Sequence, residues 1–575
     1  MTQSSAEVSI PEKLKRVFVP RALDLSEWSS LEPLYTDLSE RSLSSLDELK
    51  IWLKDLSELE SVVSEHVGWL YIRMTCDTAD VNRSNAYNHF VENVNPHIEP
   101  YADKLNKKLF SCPLVKDLPE PYKLYLRQVE NSIRIFREEN IPIEAELAVK
   151  QQKYGEISGA MTVEVKGKTI TLQQASNFLK SPDRTERAEV YSKVSARRAQ
   201  DRDKLDILFN ELIALRNKQS KNAGFENFRD YKFVALDRFD YTADDCLRFH
   251  ESVRKSIVPV LDQLMTERKN TMKLDKLKPW DTAVDVLGRP DMKPFVDGKE
   301  LMEKTINCFA DIHPYFAEVA TTLKVMNYID LDSRVGKAPG GYNYPLYESG
   351  VPFIFMNASG SLRDVTTMVH EGGHAIHSML TRHLEFIGFK EIPSEIAELA
   401  SMSMELISME HWEHFFSDPE ELRRARQEQL EGVLETLPWI ACIDAYQHWL
   451  YTNPTHTTEE RTKAWVKIHN DFSSGVIDWS ENQADLEAKW QKQLHLFEVP
   501  FYYIEYGMAQ LGAIAVWRNY KTDPQKAIRQ YMDALSLGYS KSIPEVYETA
   551  GIRFDFSEKY IRELIDFTKS ELAKL

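Results

Sequence analysis

Residues 361–380, SLRDVTTMVHEGGHAIHSML, constrain this chain more than any other stretch. Val365, Met368, Val369, Ala375, Ile376 and Met379 are apolar at helical spacing, which predicts a buried helix. The same helix carries His370, Glu371, His374 and His377, whose polar atoms need partners once buried. His370 and His374 are one turn apart and leave the same face, and two neutral imidazoles at that spacing suit one zinc ion. Glu371 sits about 100° round the helix, where it can serve a water as a base without binding the metal. Gly372 and Gly373 each cost roughly 1 kcal/mol relative to Ala in a helix interior, so something is expected to approach the backbone closely there.

A catalytic zinc takes a third protein ligand and leaves its fourth position for water. A third histidine two turns on is ruled out, because that position is Leu380. His377 follows too soon to replace it and reads as a packing residue or a support for the ligands. The other solution is a carboxylate on a later helix. The stretch EIPSEIAELASMSMELISME (391–410) offers Glu395, Glu398 and Glu405 along one stripe, after a proline suited to a helix start. Ile396, Ala397, Leu399, Ala400 and Met404 between them leave little solvated surface. Spacing alone leaves all three carboxylates open.

Two further stretches bear on chemistry. Residues 338–357 read as strands, with Gly340–Tyr344 and Val351–Met356 on either side of a turn at Glu348-Ser349-Gly350. An edge strand here could pair with an extended peptide through backbone groups, with Asn357–Gly360 on the floor of the cleft. Residues 495–510, HLFEVPFYYIEYGMAQ, cluster aromatic rings, with Tyr502 and Tyr506 on one helical face. A tyrosine hydroxyl can donate to the oxyanion of a tetrahedral intermediate while its ring packs.

The run Gly340-Gly341-Tyr342, then Pro352–Asn357, Asp364 and His370–His377 resembles the oligoendopeptidase F branch of the thimet oligopeptidase family. The likeness covers roughly residues 145–570. It implies a zinc metalloendopeptidase that cuts short peptides, with one zinc per chain. Through Glu398-Leu399-Ala400-Ser401 it implies Glu398 as the third ligand beside His370 and His374, with Glu371 as general base. It also implies His495, Tyr503 and Tyr506 as the oxyanion group. The implied fold is mainly α-helical, an elongated two-lobed body with a deep central channel and small β-sheet insertions. Asp364 and Glu405 are candidates to orient the ligand histidines.

The rest of the chain fits that frame. Its 575 residues carry 71 basic and 89 acidic side chains, a net charge of −18, which disfavours nucleic acid or an anionic membrane as partner. Oligopeptides are the expected partners, and the chain is a monomer or homodimer. Five scattered cysteines, an N-terminus without a signal-peptide core and no long apolar run predict free thiols in a soluble cytoplasmic protein. Residues 25–145 read as successive helices, and 155–172 as a β-hairpin turning at Lys166-Gly167-Lys168. The expected organisation is an N-terminal helical region over 1–190 and a catalytic domain over 191–575. The histidines of 411–490 read as packing or surface residues.

Overall fold

A computed structural model describes residues 10–575, apart from 335 and 339. The described chain is mainly α-helical, with two small sheets, as its periodicity predicts. By packing it divides into two units. Among the described residues, one comprises 10–134, 292–426 and 509–554, and the other comprises 135–291, 427–508 and 555–575.

In the first unit, a three-stranded sheet stands beside two helices. Its strands are β3 (Ile329–Asp332), β4 (Tyr342–Tyr344) and β5 (Phe353–Ala358), in the order β3-β5-β4. β5 pairs parallel with β3 and antiparallel with β4. A strand paired on both sides and covered on both faces reads as a continuous apolar run, and Phe353-Ile354-Phe355-Met356 is one, buried throughout. The edge strand expected within 338–357 is β4, because β5 lies between β3 and β4. Only β4 of that pair is outermost, and β3 has no strong strand pattern in the sequence. The Tyr342 ring stacks on Phe355 at 4.7 Å and fixes the β4 register.

From β5 the chain passes directly into the helix Leu362–Thr381. Ser361 caps it, and Asp364 closes a capping box, accepting from the backbone of Ser359 and Ser361. The helix Ser394–Met409 packs against it. At the crossing, a Cβ on Gly373 would lie 2.7 Å from Ser401 Cα and 2.8 Å from the Ala400 carbonyl oxygen. The predicted close approach is this second helix. Behind it, the buried hydroxyls of Tyr531 and Tyr547 donate to the carbonyls of Ala400 and Glu395.

In the second unit, β1 (Thr162–Val165) and β2 (Lys168–Thr171) form the expected hairpin. Lys166 and Gly167 both take positive φ at the turn, as a type I′ connection requires. Residues 155–159, read as part of the hairpin, complete the preceding helix Ile141–Gly159. Two buried arginines hold the segment that leads to the tyrosines. Arg216 donates to the Leu496 carbonyl at 3.0 Å and to the Tyr451 hydroxyl at 2.7 Å, and Arg238 pairs with Glu505 at 2.9 Å. Between them Phe501 adopts a left-handed φ of 67°, its N–H donating to Gln447 Oε1.

Candidate metal centre

The two crossing helices of the first unit bring His370, His374 and Glu398 together. His370 Nε2 lies 3.3 Å and His374 Nε2 3.6 Å from Glu398 Oε2. Donors bound to tetrahedral zinc at about 2.0–2.2 Å stand roughly 3.3–3.6 Å apart. The three residues therefore fit that ion with little rearrangement.

The surrounding hydrogen bonds aim these donors. His370 Nδ1 is 2.7 Å from Glu405 Oε1. A carboxylate only accepts, so this contact places the proton on Nδ1 and leaves Nε2 as the donor atom facing Glu398. Ser401 Oγ donates to Glu398 Oε2 at 2.9 Å. Of the two candidates for orienting the ligands, Glu405 is placed to do so. Asp364 is not, because its carboxylate is committed to the helix cap. His377 is buried with Nε2 unpartnered and belongs to the packing.

The charges also fit a dication. Burial alone would lower His370, yet the carboxylates of Glu398 and Glu405 raise it well above its usual value. Burial lowers His374 to about 4. Against the burial penalty, the two imidazoles hold Glu398 down to about 2. Burial pushes Glu371 up to about 7. Glu371, Glu398 and Glu405 share one patch with the two histidines, where a divalent ion would offset their negative charge.

Glu371 is buried beside β4, and Asn343 of that strand donates its side-chain amide to the Glu371 carbonyl at 3.4 Å. No spacing in the sequence announces this strand-to-helix link. Ser401 does carry a signal, since its spacing of three from Glu398 is that of a helical side-chain contact. Glu395, the alternative carboxylate, is buried but lies outside the donor cluster.

The oxyanion candidates form their own cluster in the second unit. The His495 ring lies 4.8 Å from Tyr503 and 6.0 Å from Tyr506, and the two tyrosine rings are 5.6 Å apart. Gln493 Nε2 contacts His495 Nδ1 at 2.8 Å. Burial raises the Tyr503 hydroxyl above its usual value, which keeps it protonated and able to donate.

Residues 177–565 match the family described as Peptidase family M3, and residues 24–136 match the Peptidase M3 N-terminal domain. The chain is 23% identical over 423 residues to oligopeptidase PepF of Bacillus subtilis (strain 168), a match covering 71% of this chain and 61% of that protein. It is 24% identical over 328 residues to the chromosomal oligoendopeptidase F of Lactococcus lactis subsp. cremoris, covering 55% of this chain and 52% of the relative. The chain thus spans roughly half to three fifths of the length of these curated relatives. A solved structure of PZ peptidase A with an inhibitor superposes with a TM-score of 0.89 at 25% identity, covering 95% of this chain and 97% of the other. The oligoendopeptidase-F structure from Enterococcus faecium shares the fold alone, with a TM-score of 0.66 at 15% identity over 95% of this chain and 97% of that one.

Proposed function

Because this chain belongs to peptidase family M3, we propose that it is a zinc-dependent oligoendopeptidase that hydrolyses internal bonds of short, unstructured peptides. The observation that carries the reading is the His370, His374 and Glu398 donor set, with the Glu371 carboxylate one position along the same helix. His370, His374 and Glu398 would hold one zinc. A zinc ion held there would supply Lewis-acid polarisation of the scissile carbonyl and a water nucleophilic at neutral pH.

The protein's own groups do the rest. Glu371 accepts a proton from the attacking water and returns it to the leaving amine. Its burial favours a base that works near neutral pH. Glu405 and Ser401 keep the ligand atoms aimed. We assign oxyanion donation to Tyr506, assisted by Tyr503 and His495, on the resemblance and on the clustering of the three rings. Every residue given a chemical role falls within 191–575, so we retain that stretch as the catalytic domain.

The outer edge of β4 is the place for the substrate backbone. It lies beside Glu371 and ends its sheet. A peptide pairing there must be extended, each residue covering about 3.3 Å, which a folded domain cannot offer without local unfolding. We therefore expect cleavage of unstructured peptides of roughly 5–20 residues, a length at which a chain stays extended over several such steps. Cytoplasmic action on free oligopeptides accords with the acidic surface; no helix among the described residues is long and apolar enough to cross a membrane.

The test is a digest of a peptide ladder beside native and denatured casein-sized proteins, with and without a chelator. Metal-dependent cleavage confined to short or unfolded chains is expected. Efficient internal cleavage of a stable folded protein would remove the size restriction. Full activity in a metal-free preparation would remove the zinc chemistry.

A further inference from the structure

The second unit holds another group of metal-binding side chains. The helix Ala243–Ser256 carries Cys246 and His250, four residues apart. The helix Pro419–Thr452 carries Asp444 and His448, also four apart. One-turn spacing puts each pair on a single face. Ligand atoms of Cys246, Asp444 and His448 all lie within 4.8 Å of one another, and all three residues are buried. His250 Nε2 is 2.8 Å from Asp444 Oδ2.

This cluster is not a closed hydrogen-bond network. His448 is 5% exposed, and neither of its ring nitrogens has a hydrogen-bond partner. Its Nε2 is 3.3 Å from Asp444 Oδ2 but off the hydrogen-bonding direction. Asp444 is fully buried, and its Oδ1 is unpartnered. Among the described residues no lysine or arginine pairs with Asp444. The rings of Phe233, Phe472 and Phe501 stand around the two histidines at 5.5–6.2 Å, so the surroundings are apolar. A buried carboxylate and a doubly unpartnered imidazole facing a thiol are costly together, and each calls for a partner.

We propose that Cys246, Asp444 and His448 bind a second divalent ion of the zinc class, with His250 positioning the Asp444 carboxylate. A thiolate, an imidazole and a carboxylate are the donors such an ion prefers. Ligand atoms around zinc stand roughly 3.3–3.8 Å apart, so the three need close by no more than about 1.5 Å. Cys246 enters as the thiolate, and binding releases its proton. Burial on all sides makes the site structural: the ion joins the 243–256 and 419–452 helices. The inference stands apart from the peptidase reading, because it uses none of the residues assigned to catalysis.

The experiment uses the full chain, stripped of metal and reloaded with cobalt(II). The first centre offers only nitrogen and oxygen donors, so a thiolate-to-cobalt charge-transfer absorption reports the second site alone. We expect two metals per chain in the wild type, together with that absorption. Glu398→Ala should retain one metal and the thiolate signal. Cys246→Ser should retain one metal, lose the signal and keep peptidase activity. A wild-type chain that binds one metal and shows no thiolate absorption overturns the site, and that spectrum needs no variant to fold. Loss of metal from Glu398→Ala with the thiolate signal intact would still support it. A wild-type chain with one metal and a thiolate signal would support this site and sink the catalytic centre instead.

Discussion

The two clusters are built alike and differ in access. Each takes paired side chains from two crossing helices and sets a carboxylate against imidazoles. At the first centre the histidine side chains are 21% and 19% exposed. In the second cluster the corresponding values for His250 and His448 are 7% and 6%, and Asp444 shows none. A catalytic ion must keep a position open, whereas a structural one is closed off. The first centre also has a carboxylate beyond its donor set, Glu371, and a strand edge beside it. The second has phenylalanine rings against its two histidines. On the readings proposed above, donor sets that differ by one thiolate serve reaction in one place and cohesion in the other, and access to the donors separates the two.

The sharpest way to break this contrast is to alter one carboxylate in each cluster. Glu371→Gln should lower kcat by roughly 10²–10⁴, the range for a lost general base, while metal content stays at the wild-type level. Full peptidase activity in that variant would end the assignment. Asp444→Asn should leave kcat near wild type and reduce stability by about 1–3 kcal/mol, read from denaturant unfolding. An Asn variant as stable as the wild type would show that the second cluster does not hold its two helices together.

The next effect concerns the oxyanion. Tyr506→Phe removes one hydroxyl and little packing. If that hydroxyl donates only in the transition state, kcat and kcat/KM should fall together by about 10²–10³. An unchanged kcat would return Tyr506 to the core and leave Tyr503 as the donor to test.

Metal affinity follows. Glu398→Ala should lose its share of the bound metal under dialysis, and Glu405→Gln should weaken binding by about 10–100-fold, as the loss of a positioning partner does. Glu395→Ala should bind as the wild type does. Reversed behaviour of Glu395 and Glu398 would show that the wrong carboxylate had been chosen.

Much of the first centre was legible because its signals are local. His370, Glu371 and His374 declare themselves by spacing, and the cost of Gly372 and Gly373 pointed to a close neighbour before that neighbour was known. The stripe of three glutamates could not rank itself, since Glu395, Glu398 and Glu405 differ only in which faces the histidines across a helix crossing. Asp364 was misjudged for a related reason: an acidic residue three positions after Ser361 is also a capping box, and that local use won. β3 was missed because Ile329-Asp330-Leu331-Asp332 is short and half acidic, and its strand state comes from pairing with β5. The second cluster was invisible for the strongest reason. Cys246 and Asp444 are far apart in sequence, and each one-turn pair alone looks like an ordinary buried helix face. His448 accordingly reads as a packing or surface residue.

The smallest effect tests the helix crossing on which the first centre depends. Gly372 and Gly373 are adjacent, but their missing side chains face different things. A Cβ on Gly372 would meet the Phe309 ring, 2.6 Å from Cζ. A ring edge can turn aside, and alanine gains about 1 kcal/mol of helix propensity over glycine, so Gly372→Ala should change stability by less than about 1 kcal/mol either way. A Cβ on Gly373 would meet the backbone of the glutamate-bearing helix, 2.7 Å from Ser401 Cα and 2.8 Å from the Ala400 carbonyl oxygen. Backbone cannot turn aside, so the two helices must part. Overpacking of that kind costs about 1–3 kcal/mol, which exceeds the propensity gain. Parting them also draws Glu398 away from His370 and His374, so Gly373→Ala should weaken metal binding where Gly372→Ala does not. Both are read from unfolding midpoints with and without zinc, the added stability on zinc being smaller in the Gly373 variant. Equal behaviour of the two variants would show that the crossing does not set the ligand geometry.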